Sequence, residues 1–134
     1  MFEITTNIKT FNSIREFIKS AIKPWKDKII KSSNGRCFLT NQVNNIDVHH
    51  ISKSFTNIMR ETFEVTGIPF RKSTYEYTQT ELDLLRVTCL ALHQDVTGVT
   101  LCRRLHEDYH RLYSETTSEN WKKFRLYRKK RRTA

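Results

Sequence analysis

Ile46-Asp-Val-His-His-Ile51 is one of two stretches that decide the fold of this chain, and Val99-Thr-Leu-Cys-Arg-Arg-Leu-His-Glu-Asp-Tyr-His110 is the other. The first predicts a strand that ends in a histidine pair, and the second predicts a strand followed by a helix over 102–113. Histidines at positions i and i+4 project from one face of a helix, close enough to bind a single divalent ion. We therefore expect a small α+β fold in which two strands and a helix surround one metal site.

The remaining segments predict helices around this core. Apolar residues recur at helical spacing over 11–22, over 54–66 and over 80–94, and Pro24 restarts a short helix after the first of these segments. Cys37-Phe-Leu39 predicts an additional short strand, and Thr80-Glu-Leu-Asp83 predicts the capped start of a helix. The predicted organisation is one domain over 1–113, with N-terminal helices 11–32, core segments 37–51 and 97–113 and a helical insertion 54–94, followed by a basic arm over 114–134.

Positive charge is concentrated near the end of the sequence. The formal net charge of +10 arises from 24 Lys and Arg residues against 14 Asp and Glu residues. Residues 122–132 contain eight of these cations and no acid, so residues 1–121 have a balance of only +2. Aromatic residues interleaved with such a basic run are typical of contact with nucleic acid. The residues expected to contact DNA are Lys122, Lys123, Arg125, Arg128, Lys129, Lys130, Arg131 and Arg132.

Composition argues against several other classes of protein. No stretch approaches the roughly 18 apolar residues of a membrane span, and the N-terminus lacks the apolar region of a signal peptide. The three cysteines are odd in number and widely spaced, and the three glycines provide no Gly-rich phosphate loop. We expect a cytoplasmic protein that has no disulfide and no membrane partner.

Two blocks of this sequence resemble the HNH endonuclease family, the ββα-metal nucleases. The first block contains Trp25-Lys-Asp-Lys-Ile-Ile30, Gly35-Arg-Cys-Phe-Leu-Thr40 and Asp47-Val-His-His-Ile51, and the second runs from Gly98 to Tyr113. The resemblance spans residues 25–113 and is closest to the small free-standing HNH homing endonucleases of bacteriophages and prophages. It implies a ββα-metal core, a location in the cytoplasm of a bacterial host, and cutting or nicking of double-stranded DNA with one divalent ion.

The resemblance also implies roles for individual residues. His49, His106 and His110 would be the metal ligands, and His50 would be the general base that deprotonates water. Three imidazoles favour zinc or another transition ion in affinity, whereas an open site also works with magnesium or manganese. The identity of the divalent ion stays open among these three.

The chain departs from the family at the middle asparagine, which orients the general base. That position, about nine residues before His106, is Thr97 in this sequence. Asp95 or His93 is a candidate to orient His50 in its place, and the backbone is another. This departure leaves open an alternative function as a non-catalytic DNA-binding or regulatory module that keeps the ββα shape.

The cysteines differ from those of many family members, which carry two C-x-x-C pairs for a structural zinc. Here each pair keeps only its first cysteine, in Cys37-x-x-Thr40 and in Cys102-x-x-Leu105. A structural zinc held by four cysteines is therefore excluded, and we expect these cysteines to be small core residues. A nuclease of phage packaging or restriction is a further alternative to homing.

Overall fold

The computed structural model describes residues 12–133, with the backbone alone described for residues 129–133. Within that range the chain forms six α-helices, one 3₁₀ turn and a two-stranded antiparallel sheet, which confirms the predicted α+β class. Its internal contacts divide it into two compact units. Unit 1 comprises the residues up to 25 and residues 55–95, and unit 2 comprises residues 26–54 and those from 96 onward.

Unit 1 is built from helices packed on one another. Helix α1 (Ile14–Ser20) belongs to unit 1, and helix α2 (Lys23–Ser32) starts there and continues into unit 2. Helices α3 (Phe55–Thr66) and α4 (Gln79–Leu92) pack on each other and on α1. The predicted helical insertion therefore folds together with the first N-terminal helix, because each buries its apolar face against the other. The fully buried side chains of unit 1 include Ile18, Ile22, Ile58, Leu82 and Leu85.

Local signals position the ends of these helices. Gly67 adopts a φ of +73° after α3, a left-handed conformation that glycine reaches without a steric penalty. Helix α4 begins two residues earlier than predicted, because Thr78 and not Thr80 forms its capping box. The Thr78 hydroxyl accepts a hydrogen bond from the Glu81 N–H, and the Glu81 carboxylate accepts one from the Thr78 N–H.

Unit 2 contains the sheet that the two decisive stretches predicted. Strand β1 (Ile46–His50) pairs antiparallel with strand β2 (Gly98–Cys102), and the register places His49 opposite Val99. One further backbone hydrogen bond, from the Ile51 N–H to the Thr97 carbonyl, extends the pairing beyond both strands. Helix α5 (Arg103–Leu112) follows β2 directly, and it packs against both strands.

The core of unit 2 also includes two side chains from the start of the basic C-terminal segment. Leu101, Leu105 and Tyr109 are fully buried, and Trp121 and Phe124 of helix α6 (Ser118–Thr133) belong to the same apolar cluster. The predicted boundary at residue 113 therefore does not separate an arm from the domain. Burial of two large aromatic side chains makes the start of α6 part of the core.

Residues 37–39 do not form the predicted strand. The Cys37 N–H donates to the Gln42 carbonyl, and the Asn41 N–H donates to the Cys37 carbonyl, which closes a tight turn. The Phe38 N–H donates to the Thr100 carbonyl of β2, and the Thr100 hydroxyl donates to the Arg36 carbonyl just before the turn. Turn formation has satisfied the backbone groups that a strand would have offered to the sheet.

Candidate metal centre

Three histidines from two elements meet in unit 2. His49 is carried by β1, whereas His106 and His110 lie one turn apart on α5. One ring nitrogen from each of the three lies within 4.8 Å of the other two. The structure therefore brings together the three residues that the sequence predicted as metal ligands.

The geometry within the cluster is close. Nε2 of His106 and Nε2 of His110 are 3.1 Å apart. The ring centroid of His49 lies 5.2 Å from that of His106 and 5.6 Å from that of His110. Two imidazole nitrogens that each lie about 2.0–2.1 Å from one zinc ion are separated by a distance comparable to the 3.1 Å between the Nε2 atoms of His106 and His110.

Burial changes from one side of the cluster to the other. His49 is fully buried and contacts the rings of Tyr109 and Trp121, with centroid distances of 4.2 and 5.5 Å. The side chain of His106 is 24% exposed, and His110 is exposed to solvent. The cluster thus has a closed floor at His49 and an open rim at His110.

The electrostatics favour neutral rings. Burial, reinforced by repulsion from His106, His110 and His50, lowers the pKa of His49 from 6.5 to about 3. Burial, followed by the effect of His106, also lowers the pKa of His110. A histidine must be neutral to offer a lone pair to a metal, so both shifts prepare these rings as ligands near neutral pH.

A divalent cation fits the chemistry of this donor set. Neither Nδ1 nor Nε2 of His49 has a hydrogen-bond partner among the described residues, although both atoms are buried. An unsatisfied buried polar group costs about 1–3 kcal/mol. A cation bound to one of these nitrogens would offset that cost, and three imidazoles suit zinc and other transition ions.

The acidic side chain of Asp47 lies beside the cluster. Its Oδ2 atom is 3.2 Å from Nδ1 of His106, and its Oδ1 atom is 3.5 Å from Nη2 of Arg103. Residues two apart on a strand share a face, so the spacing between Asp47 and His49 was a signal that could have identified it.

His50, the predicted general base, is not a member of the three-histidine cluster. It is the last residue of β1, it pairs with Gly98, and it is half-buried. Its ring is still close enough to His49 to contribute to the lowered pKa of that residue.

Thr97, which the resemblance aligned with an asparagine of the HNH family, is exposed. Thr97 lies just before β2, and its carbonyl oxygen accepts the hydrogen bond from the Ile51 N–H. His93, a candidate substitute, is the C-terminal cap of α4 and is fully buried in unit 1. Its Nδ1 atom is 2.8 Å from the Cys89 carbonyl oxygen, and its ring packs against Trp25. His93 therefore has a packing role inside unit 1.

The predicted cysteine roles agree with the structure. Cys37 and Cys102 are buried in the core of unit 2, and Cys89 is buried in unit 1. All three are free cysteines. Burial also raises the pKa of Cys89 to about 11, as expected for an unreactive core thiol.

The predicted DNA-binding residues lie along α6. Lys122, Lys123 and Arg125 are exposed, and the guanidinium of Arg125 lies over the Phe38 ring. Arg128 is partly buried, with Nη1 3.9 Å from Asp108. The side chains of Lys129, Lys130, Arg131 and Arg132 fall outside the described residues.

Comparison with protein families, with curated proteins and with solved structures gave no match to this chain. None of the helices in the described range has the length and apolar character needed to cross a membrane.

Proposed function

We propose that this chain is a metal-dependent DNA endonuclease or nickase of the HNH homing type, which hydrolyses phosphodiester bonds in double-stranded DNA. Its ββα-metal core would consist of β1, β2 and α5. The observation that carries the proposal is the three-histidine cluster, whose buried member has two ring nitrogens without a hydrogen-bond partner among the described residues.

One divalent ion, held by His49, His106 and His110, would supply Lewis-acid stabilisation of charge on the scissile phosphate and the leaving 3′ oxygen. His49 provides a rigid ligand because Tyr109 and Trp121 pack around it. His110 lies at the exposed rim, so a phosphate can approach the ion from that side of the cluster.

His50 would act as the general base. It takes a proton from the attacking water, a task suited to an imidazole near neutral pH. The general base of this family is oriented by an asparagine, and the exposed Thr97 offers a hydroxyl at that position. The backbone carbonyl of Thr97 is the other group available there.

The basic residues of α6 would provide the DNA contact. Lys122 and Lys123 are exposed on a helix whose aromatic residues anchor it in the same unit as the histidines. Phosphate contacts of this kind provide affinity and position the duplex, but they do not read sequence.

A plasmid assay tests the proposal. Purified protein is incubated with supercoiled plasmid and magnesium, manganese or zinc, and the appearance of nicked or linear DNA is measured. A His106→Ala/His110→Ala double variant is the matched control and should produce neither. If the protein bound DNA but cleaved it with none of the three ions, the enzyme assignment would be contradicted. Because the family's asparagine is replaced by Thr97, that result would favour a non-catalytic DNA-binding module.

A further inference from the structure

The carboxylate of Asp47 connects β1 to the start of α5. Oδ2 lies 3.2 Å from His106 Nδ1, and Oδ1 lies 3.5 Å from Arg103 Nη2. The side chain of Asp47 is 29% exposed and that of His106 is 24% exposed, so their contact is partly shielded from water. The side chain of Arg103 is 61% exposed, and such a solvent-exposed ion pair contributes little to stability.

A hydrogen bond between Asp47 and His106 selects one tautomer of the neutral imidazole ring. An ionised carboxylate only accepts hydrogen bonds, so in that pairing Nδ1 of His106 is the donor. The Nε2 atom of the neutral ring then keeps its lone pair. That Nε2 atom is the one that lies 3.1 Å from Nε2 of His110.

Regular backbone structure holds both partners in place. Asp47 lies within β1 and is paired with Leu101 of β2. The first N–H of α5, from Arg103, donates a 2.7 Å hydrogen bond to the Asn45 carbonyl just before β1. The distance between Asp47 and His106 is therefore defined by a strand and a helix, which position a site more accurately than loops do.

We propose that Asp47 is a positioning residue for the metal centre: it fixes the ring orientation and tautomer of His106, so that Nε2 faces His49 and His110. This inference rests on the proposed function, because it assigns a purpose to the ligand arrangement. A carboxylate behind a metal-binding histidine also increases the basicity of the ligand nitrogen, and its loss typically lowers metal affinity by roughly 10–100-fold.

Two measurements on Asp47→Ala test the proposal. The first is the ¹⁵N chemical shifts of the His106 ring in metal-free protein, which report the tautomer directly. Wild type should be protonated at Nδ1, and the variant should lose that preference. The second is titration with Co²⁺ as the probe ion, in which the variant should bind roughly 10–100-fold more weakly. Asp47→Asn, which keeps an accepting oxygen but no charge, should fall between the two.

Asp108→Ala is the matched control. The Asp108 carboxylate lies on α5, the helix that carries His106, and its 23% exposure is similar to that of Asp47. It pairs with Arg111 and Arg128 and not with His106. The Asp108→Ala variant should keep the wild-type tautomer and Co²⁺ affinity. Wild-type values for both measurements in Asp47→Ala would overturn the positioning role. If wild type itself bound no Co²⁺, the metal centre of the proposed function would fail, and the tautomer measurement would still decide whether Asp47 positions His106.

Discussion

His50 and His49 are neighbours in the sequence, but the structure places them in different environments. His49 is fully buried at the floor of the cluster, whereas His50 is half-buried at the end of β1. Adjacent strand residues normally alternate in direction, and the ring of His49 packs against those of His106 and His110 on α5. A ligand role for one and a proton-transfer role for the other are consistent with this arrangement.

The His50→Ala variant should lose cleavage while keeping its fold and its affinity for DNA. A general base lowers the reaction barrier but does not contribute phosphate contacts. We expect cleavage to fall on the order of 10²–10⁴-fold, measured by single-turnover nicking of supercoiled plasmid. Cleavage close to the wild-type rate would show that another group deprotonates the water.

The stability of the metal-free protein should decrease in acid because of His49. Its folded pKa of about 3 lies below the ordinary 6.5, so between these values the unfolded chain binds a proton that the folded chain does not. The His49 contribution is therefore fully present above pH 6.5 and is lost as the pH falls towards 3. The slope reaches at most about 1.4 kcal/mol per pH unit.

Urea unfolding in EDTA at several pH values between 7 and 4 measures this slope. His49→Gln fills a similar volume but cannot titrate, and it should have a shallower pH dependence than wild type. An identical slope in the two proteins would mean that His49 does not account for the acid sensitivity.

At the scale of elements, α5 and α6 each have two roles. Helix α5 presents Leu105 and Tyr109 to the core and His106 and His110 to the cluster. Helix α6 presents Trp121 and Phe124 to the core and lysines to solvent. Helical periodicity makes this possible, because residues three or four apart share a face and the residues between them point elsewhere.

Truncation after Ser118 should unfold unit 2 because it removes both core aromatics of α6. Trp121→Ala alone should reduce the free energy of unfolding by about 3–5 kcal/mol, the usual effect of deleting a large buried aromatic side chain. Urea denaturation followed by circular dichroism measures the loss. The control on the same helix is Leu126→Ala, a residue that is 60% exposed, which should change stability by no more than about 0.5 kcal/mol. A stable, folded truncated chain would show that α6 is an appendage.

At the scale of the whole molecule, the charge is uneven. The eight cations of residues 122–132 account for most of the net charge of +10. Unit 2 contains both this basic run and the histidine cluster. A polyanion attracted to the basic helix would be bound by the unit that holds the candidate metal site.

Replacing the eight cations with glutamine, while keeping Trp121 and Phe124, should weaken DNA binding and reduce its dependence on salt. Each neutralised phosphate contributes about −0.9 to the slope of log affinity against log salt concentration. Engagement of half of the eight residues would change the slope by roughly 3–4 units, measured by fluorescence anisotropy. Lys19→Gln/Lys72→Gln, a pair of exposed residues in unit 1, is the control. An unchanged slope in the eightfold variant would place the DNA-binding surface elsewhere.

The sequence by itself determined the two strands of the sheet, the long helices and the three candidate ligands. Alternating residues before Ile51 and the i, i+4 histidines of α5 are local patterns, and local backbone geometry is sufficient to interpret them. The burial of Trp121 and Phe124 was not predictable in the same way. A basic run with interleaved aromatics is compatible with an arm in solvent as well as with a core helix.

Only the tertiary structure decided which distant residues share a surface. The contact between Asp47 and His106 joins a strand to a helix 59 positions later, and the folding of α1 with the 54–94 segment is equally non-local. The strand predicted at residues 37–39 was wrong because hydrogen bonding within a turn satisfied its backbone groups. Sequence patterns report which face of an element is apolar, but they do not report which other element covers that face.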